Sequence, residues 1–173
     1  GNGDGPTSPY GAHKLMSEIE CKLYSRLYGL DTVCLRYFNV YSEDQEYGGS
    51  YTTAISSWIE MIRIGEKLRL DGDGHQTRDF IHVDDIVSAN IFCMNYNKKF
   101  NGETYDIATG QCTPLNFIKD YINETNDIEW KYEKKRIGDI MHSIPNVDKI
   151  KAHGWKSKVK LIDGLKKCFG EKK

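Results

Sequence analysis

The sequence predicts an α/β fold, and three observations predict it. Leu15, Ile19, Leu23 and Leu27 recur at helical spacing, which marks an amphipathic helix ending at Gly29. Residues 32–41, Thr-Val-Cys-Leu-Arg-Tyr-Phe-Asn-Val-Tyr, then form a run of β-formers with the near-continuous apolar character of a buried strand. Beyond it, short strand candidates alternate with helical patterns to the end of the chain. A helix feeding such a strand is half of a parallel α/β unit.

Each element has a local reason. Ser8 is placed to cap the first helix, with Pro9 at its first position. Residues 42–50 are polar, acidic and Gly-containing, a loop. A second helix is expected over 52–64, with Ala54, Ile55, Trp58, Ile59 and Ile62 on one face and Gly65 closing it. Lys67–Leu70 is a strand, Asp71–Gly74 a turn, and Phe80–Val83 another strand running into Asp84 as cap of a helix over 85–96. Glu103–Ala108 is a strand. Thr113 is expected to cap a helix opened by Pro114 and running to Glu124, with Phe117, Ile118, Tyr121 and Ile122 inward. Ile128–Tyr132 is a strand, and helices close the chain near Val147–His153 and Leu161–Phe169.

Composition narrows the function classes. The 173 residues are about one domain by length, ample for a core. Hydrophobic residues at 39%, charged residues at 28% and a net charge of -1 describe an ordinary soluble protein, with nothing that recruits nucleic acid or an anionic membrane. No apolar run reaches the length of a membrane span. Five scattered cysteines with no CxxC imply reduced thiols and a cytoplasmic setting, neither a disulfide frame nor a metal site. The basic last 25 residues, with Lys149, Lys151, Lys156, Lys158, Lys160, Lys166, Lys167, Lys172 and Lys173, read as a solvated face.

Four strings carry chemistry. In Pro9-Tyr10-Gly11-Ala12-His13-Lys14, Tyr10 and Lys14 stand one helical turn apart on one face, and an ammonium beside a phenol favours proton exchange near neutrality; two surface residues at that spacing are the plain alternative. In Arg36-Tyr37-Phe38-Asn39-Val40-Tyr41, Asn39 lies toward a C-terminal strand edge, where open α/β sheets bind ligands, and is equally readable as a turn former. In the stretch Gly72–Asp85, Arg78 offers a fork to a phosphate or an ion pair that stiffens its loop, while His82 reads as a packed strand residue. In Lys135–Ser143, Arg136 beside Gly138 and Asp139 is either a second phosphate contact or a solvated basic turn.

In their order and spacing, these strings resemble the NAD-dependent epimerase/dehydratase family, the extended short-chain dehydrogenases acting on nucleotide sugars. Among its members the chain looks most like UDP-glucose or UDP-N-acetylglucosamine 4-epimerases, with dehydratases and decarboxylases as sibling chemistries. The resemblance runs from about Pro6 to Leu165. It implies that Tyr10 exchanges a proton with the sugar 4-hydroxyl and that Lys14 holds the nicotinamide ribose. It implies further that the backbone of Tyr37 and Phe38 lies by the nicotinamide of NAD, and that Asn39, Arg78 and Arg136 bind the diphosphate. Asp139 would take a ribose hydroxyl, Thr52 and Thr53 would touch the nucleotide sugar at a helix N-terminus, and backbone at Leu68, Arg69 and Leu70 would line the base. His142 and Ser143 read as structural.

The departure from the family is at the front. A Gly-rich phosphate loop between a strand and a helix, with an acid about 20 residues on, marks the cofactor half of such enzymes, and it is absent from this sequence. The expected organisation is therefore a flexible lead-in over 1–8, a remnant of the NAD-binding Rossmann domain over 9–41, and a nucleotide-sugar-binding domain over 42–173. Such a chain is expected to be inactive alone and to form a homodimer through the Tyr10–Lys14 helix, whose apolar stripe lacks a cover. A nucleotide-sugar binding module, or a protein that pairs with a separate Rossmann half, are the competing readings.

Overall fold

The computed structural model describes residues 5, 6, 8–45, 53–135 and 140–171. The chain begins with helix α1, Pro9–Tyr28, then strands β1, Val33–Tyr37, and β2, Asn39–Tyr41. Helix α2, Ala54–Arg63, leads to β3, Leu68–Asp71, and β4, Thr77–His82, which runs straight into α3, Val83–Met94. Strands β5, Glu103–Ile107, and β6, Cys112–Pro114, precede α4, Leu115–Thr125; β7, Trp130–Glu133, α5, Asp148–Ala152, and α6, Leu161–Phe169, complete the order. The class is α/β as expected: β1 pairs parallel with β5, β2 with β4, and β3 with β7, while β4 also pairs antiparallel with β6.

Helix α1 starts and stops on the expected signals. The Ser8 hydroxyl accepts from the Gly11 N–H at 3.1 Å, and Gly29 ends the helix at φ 68 with its N–H on the Ser25 carbonyl. Thr53 caps α2 through a reciprocal capping box with Ser56.

Five expectations are corrected. The strand over 32–41 divides at Phe38, because the chain changes neighbour there: the Phe38 N–H still bonds the last residue of β5, Ile107, at 3.2 Å, and from Asn39 onward the partner is β4. Strand β4 begins three residues before Phe80, since Thr77, Arg78 and Asp79 pair with Pro114, Thr113 and Cys112 despite their polar side chains. Helix α3 is capped by His82, whose Nδ1 accepts from the Asp84 N–H at 3.2 Å, so Asp84 and Asp85 occupy the first turn and neither is the cap. Thr113 does not cap α4. Residues 112–114 are strand, and the first amides of α4 are met by the 74–76 turn: Leu115 N–H on Gln76 O at 3.2 Å and Asn116 N–H on Gly74 O at 3.0 Å. Phe117, expected inward, is exposed, because the buried face of α4 is the stripe Leu115, Ile118, Tyr121 and Ile122, at helical spacing, and Phe117 lies off it.

Two cores result. One gathers Tyr41, Ile55, Trp58, Leu68, Leu70, Ile118, Tyr121, Ile122 and Leu165 from β2, α2, β3, α4 and α6. The other gathers Ile81, Ile86, Ala89, Phe100, Tyr105, Ile107, Ile150 and Trp155, with Val33 and Leu35 of β1 packed on it. They interleave along the chain, because β5, far beyond residue 41, lies beside β1. Helix α1 contributes no buried residue to either: Leu15, Ile19, Leu23 and Leu27 are all exposed, as are Met16, Tyr24 and Tyr28. Among the described residues, no helix is long and apolar enough to cross a membrane.

Candidate active site

The cleft at the N-terminal end of α1 is built from one helix face and one strand. Tyr10 and Lys14 line an open space of about 780 Å³ together with Gly11, Arg36 and Tyr37. The Lys14 ammonium lies 5.5 Å from the centre of the Tyr10 ring, and Tyr10 is 51% exposed. Polar contacts tie α1 to the β1 strand and its approach. Arg36 of β1 makes a two-pronged contact with Glu18 of α1, 2.6 Å at both Nε and Nη2, and this ion pair raises the Arg36 pKa. The Thr32 hydroxyl donates to the Cys21 carbonyl at 2.8 Å. Burial pushes the Cys34 thiol, on the same strand, up to about 11, with neighbouring Cys21 adding to the shift. Tyr37 projects from the end of β1 and donates from its hydroxyl to Asn90 Oδ1 of α3 at 3.0 Å.

A second group lies one step along the same edge. Asn39, two residues beyond Tyr37, donates from Nδ2 to the carbonyl of Asp79 at 3.0 Å. Arg78 precedes that residue in β4 and is partly buried, with Nη1 donating to the Thr77 carbonyl at 2.9 Å. Segment Met141–Ser143 lies against Thr77: the Thr77 N–H bonds Met141 O at 2.8 Å, and the Thr77 hydroxyl meets His142 Nδ1 at 3.0 Å. The structure thus brings Tyr10, Lys14 and Tyr37 into one cleft, and links Asn39 to the strand that carries Arg78. Thr53 stands at the N-terminus of α2. Leu68 and Leu70 point into the first core, Arg69 pairs with Asp71 at 2.6 Å, and the Arg69 carbonyl accepts from Trp58 Nε1 at 2.8 Å. Thr52, Arg136 and Asp139 lie outside the described residues.

One residue at this edge, Asp79, was given no role by the motifs, and His82 is the packed strand residue that they suggest. Asp79 is fully buried in β4 and satisfied by four hydrogen bonds. His82, 2% exposed, caps α3 and contacts Glu43 Oε2 through Nε2 at 3.0 Å. Glu43 is held below the usual carboxylate range by backbone hydrogen bonding first and by His82 after it. The available signal was an acid and a histidine bracketing Phe80 and Ile81 in an apolar run: polar groups buried in a strand must find partners.

For a dinucleotide the fit is one-sided. On one side, the cleft offers the Tyr10 hydroxyl and the Lys14 ammonium as polar groups. Among the described residues no glycine-rich turn joins a strand to a helix for the pyrophosphate, since β4 enters α3 directly and α2 is opened by Thr53. Among the described residues, too, no group of three or more His, Cys, Asp or Glu side chains is placed to hold a metal ion.

Comparison with known proteins shows what the chain is similar to. The family model described as NAD dependent epimerase/dehydratase family matches residues 2–108. A putative UDP-glucose 4-epimerase of Methanocaldococcus jannaschii is 35% identical over 164 residues, covering 94% of this chain and 52% of that protein. Among solved structures, the UDP-N-acetylglucosamine 4-epimerase of Methanobrevibacter ruminantium in complex with UDP-N-acetylmuramic acid superposes with a TM-score of 0.86 at 33% identity, over 95% of this chain and 53% of that one. The UDP-glucose 4-epimerase of Thermotoga maritima with UDP-glucose gives 0.83 at 35% identity, over 95% and 53%. The chain spans about half the length of the curated relatives it matches.

Proposed function

Because this chain belongs to the NAD dependent epimerase/dehydratase family, we infer that it is the nucleotide-sugar-binding portion of a UDP-hexose or UDP-N-acetylhexosamine 4-epimerase. The observation that carries the reading is the placing of Tyr10 and Lys14 on one helix face, in a cleft shared with Tyr37. The Tyr10 hydroxyl moves a proton to and from the sugar 4-hydroxyl oxygen. Lys14 sets a positive charge one turn away and holds the ribose hydroxyls of the cofactor. NAD, when bound, supplies a hydride acceptor and donor for the sugar carbon. Asn39 and Arg78 grip the diphosphate from the β2–β4 edge, joined by Arg136, with Asp139 on a ribose hydroxyl. Thr52 and Thr53 meet the sugar nucleotide at the N-terminus of α2, where amides and helix dipole favour an anion. Backbone at Leu68–Leu70 flanks the base. The UDP ligands in the two related structures support this substrate class, and five free thiols suit a reducing cytoplasm.

By itself the chain is inactive on this reading, since only the nicotinamide end of the cofactor finds partners. The purified chain should show no interconversion of UDP-glucose and UDP-galactose, and turnover should emerge when a family dinucleotide-binding half is joined ahead of it. Epimerisation by the chain alone would refute the inactivity. The exposed stripe Leu15, Ile19, Leu23 and Leu27 pairs with a second copy. Sedimentation equilibrium should return a dimer mass, and a monomer at micromolar concentration would count against that pairing.

A further inference from the structure

Strands β1 and β2 form one continuous run whose partner changes, and Asp79 stands at the change. Its Oδ1 accepts from the Thr109 N–H and hydroxyl, both at 2.9 Å, and its Oδ2 accepts from the Gly110 N–H at 2.7 Å and the Gln111 N–H at 2.9 Å. Three successive amides curl around the carboxylate as a nest, with Gly110 at φ 82. Residues 108–111 are the crossover from β5, which pairs with β1, to β6, which pairs with β4. The carbonyl of Asp79 also accepts the Asn39 side-chain amide, and its chain neighbour is Arg78. One fully buried residue therefore touches the crossover between two sheets and adjoins two of the polar side chains on the ligand edge.

A buried carboxylate is costly unless its lone pairs are met, and here all four contacts are short. An apolar residue at this point would avoid the desolvation but strand the Thr109 and Gly110 amides without acceptors, leaving the Gln111 N–H only the Thr109 hydroxyl oxygen at 3.0 Å. Asp79 thus specifies how the two sheets meet more than it adds to stability.

We infer that Asp79 is a positioning residue: by clamping the 109–111 crossover it sets Asn39 and Arg78 in place for a diphosphate ligand. The inference rests on the reading of Asn39 and Arg78 as diphosphate contacts. Asp79→Asn keeps the shape but turns an amide donor toward amides that already donate. Two readouts test it in the purified chain: hydrogen exchange of the Thr109–Gln111 amides and the Asn39 side-chain amide by nuclear magnetic resonance, and UDP affinity by calorimetry. Asp79→Asn should speed exchange at both places by about tenfold or more and weaken UDP binding by a similar factor. Asp79→Glu, which retains the carboxylate, should recover part of both, and it carries the test if Asp79→Asn does not fold. Ile118→Val, a core change in α4, should lower the unfolding midpoint and leave UDP affinity unchanged. The inference is overturned if Asn39 exchange is unaltered, or if Asp79→Asn weakens UDP no more than Ile118→Val does. If the unaltered chain binds no UDP, the diphosphate reading fails separately, and Asn39 exchange alone decides whether Asp79 sets that side chain.

Discussion

Tyr10→Phe, made in an enzyme that joins this chain to a dinucleotide-binding half, is expected to lower epimerase turnover by about 10²- to 10⁴-fold, the usual worth of a positioned acid–base group. The substitution removes one hydroxyl and leaves the ring, so the contact with the Lys14 ammonium at 5.5 Å from the ring centre survives. The cleft wall formed by Arg36 and Tyr37 does not depend on it, because Arg36 is fixed by Glu18 and Tyr37 by Asn90. The loss should therefore fall on kcat, with substrate affinity retained. Steady-state kinetics with UDP-glucose measures this. Unchanged turnover would remove Tyr10 from the chemistry.

The second large effect is structural and runs against helix propensity. Gly164 lies inside α6, where Ala would ordinarily be favoured by about 1 kcal/mol. A Cβ at Gly164 would fall 2.0 Å from the Tyr41 hydroxyl oxygen and 2.7 Å from the ring carbon that bears it. Tyr41 is 1% exposed and packs edge-on against His82, with ring centres 5.3 Å apart, so it has nowhere to swing. Gly164→Ala is accordingly expected to destabilise the chain by about 1–3 kcal/mol, the range for overpacking a filled core. Thermal unfolding measures it as a fall of several degrees. Tyr41→Phe should reduce the penalty without abolishing it, since the ring carbon still conflicts; a double-mutant cycle reads that coupling. A stabilised Gly164→Ala variant would mean that α6 does not sit against Tyr41.

What was legible in the sequence is what is decided locally. Ser8, Pro9 and Gly29 bound α1 because capping and glycine conformation act within a few residues. The α/β class followed from periodicity alone. The parts that were not legible depend on partners distant in the chain. Thr113–Pro114 looked like a helix start, and it is strand because Thr77 and Arg78 lie opposite it. Thr113 looked like a cap, and the backbone of Gly74 and Gln76 does that work instead. The break at Phe38 is set by where β5 ends and β4 begins, which no window around residue 38 contains. At the site, the spacing of Tyr10 and Lys14 could be read directly. The burial of Asp79 could not, because the amides that satisfy it come from residues 109–111.

The most direct test of the account is thermal unfolding of this chain with and without UDP, UDP-glucose, UDP-N-acetylglucosamine and NAD. A ligand that binds only the folded state at a hundredfold excess over its dissociation constant stabilises it by about 2.7 kcal/mol, a shift easily read in the unfolding midpoint. The account predicts a higher midpoint with each UDP compound and no change with NAD. No shift with any UDP compound would contradict the claim that this chain carries a working nucleotide-sugar site.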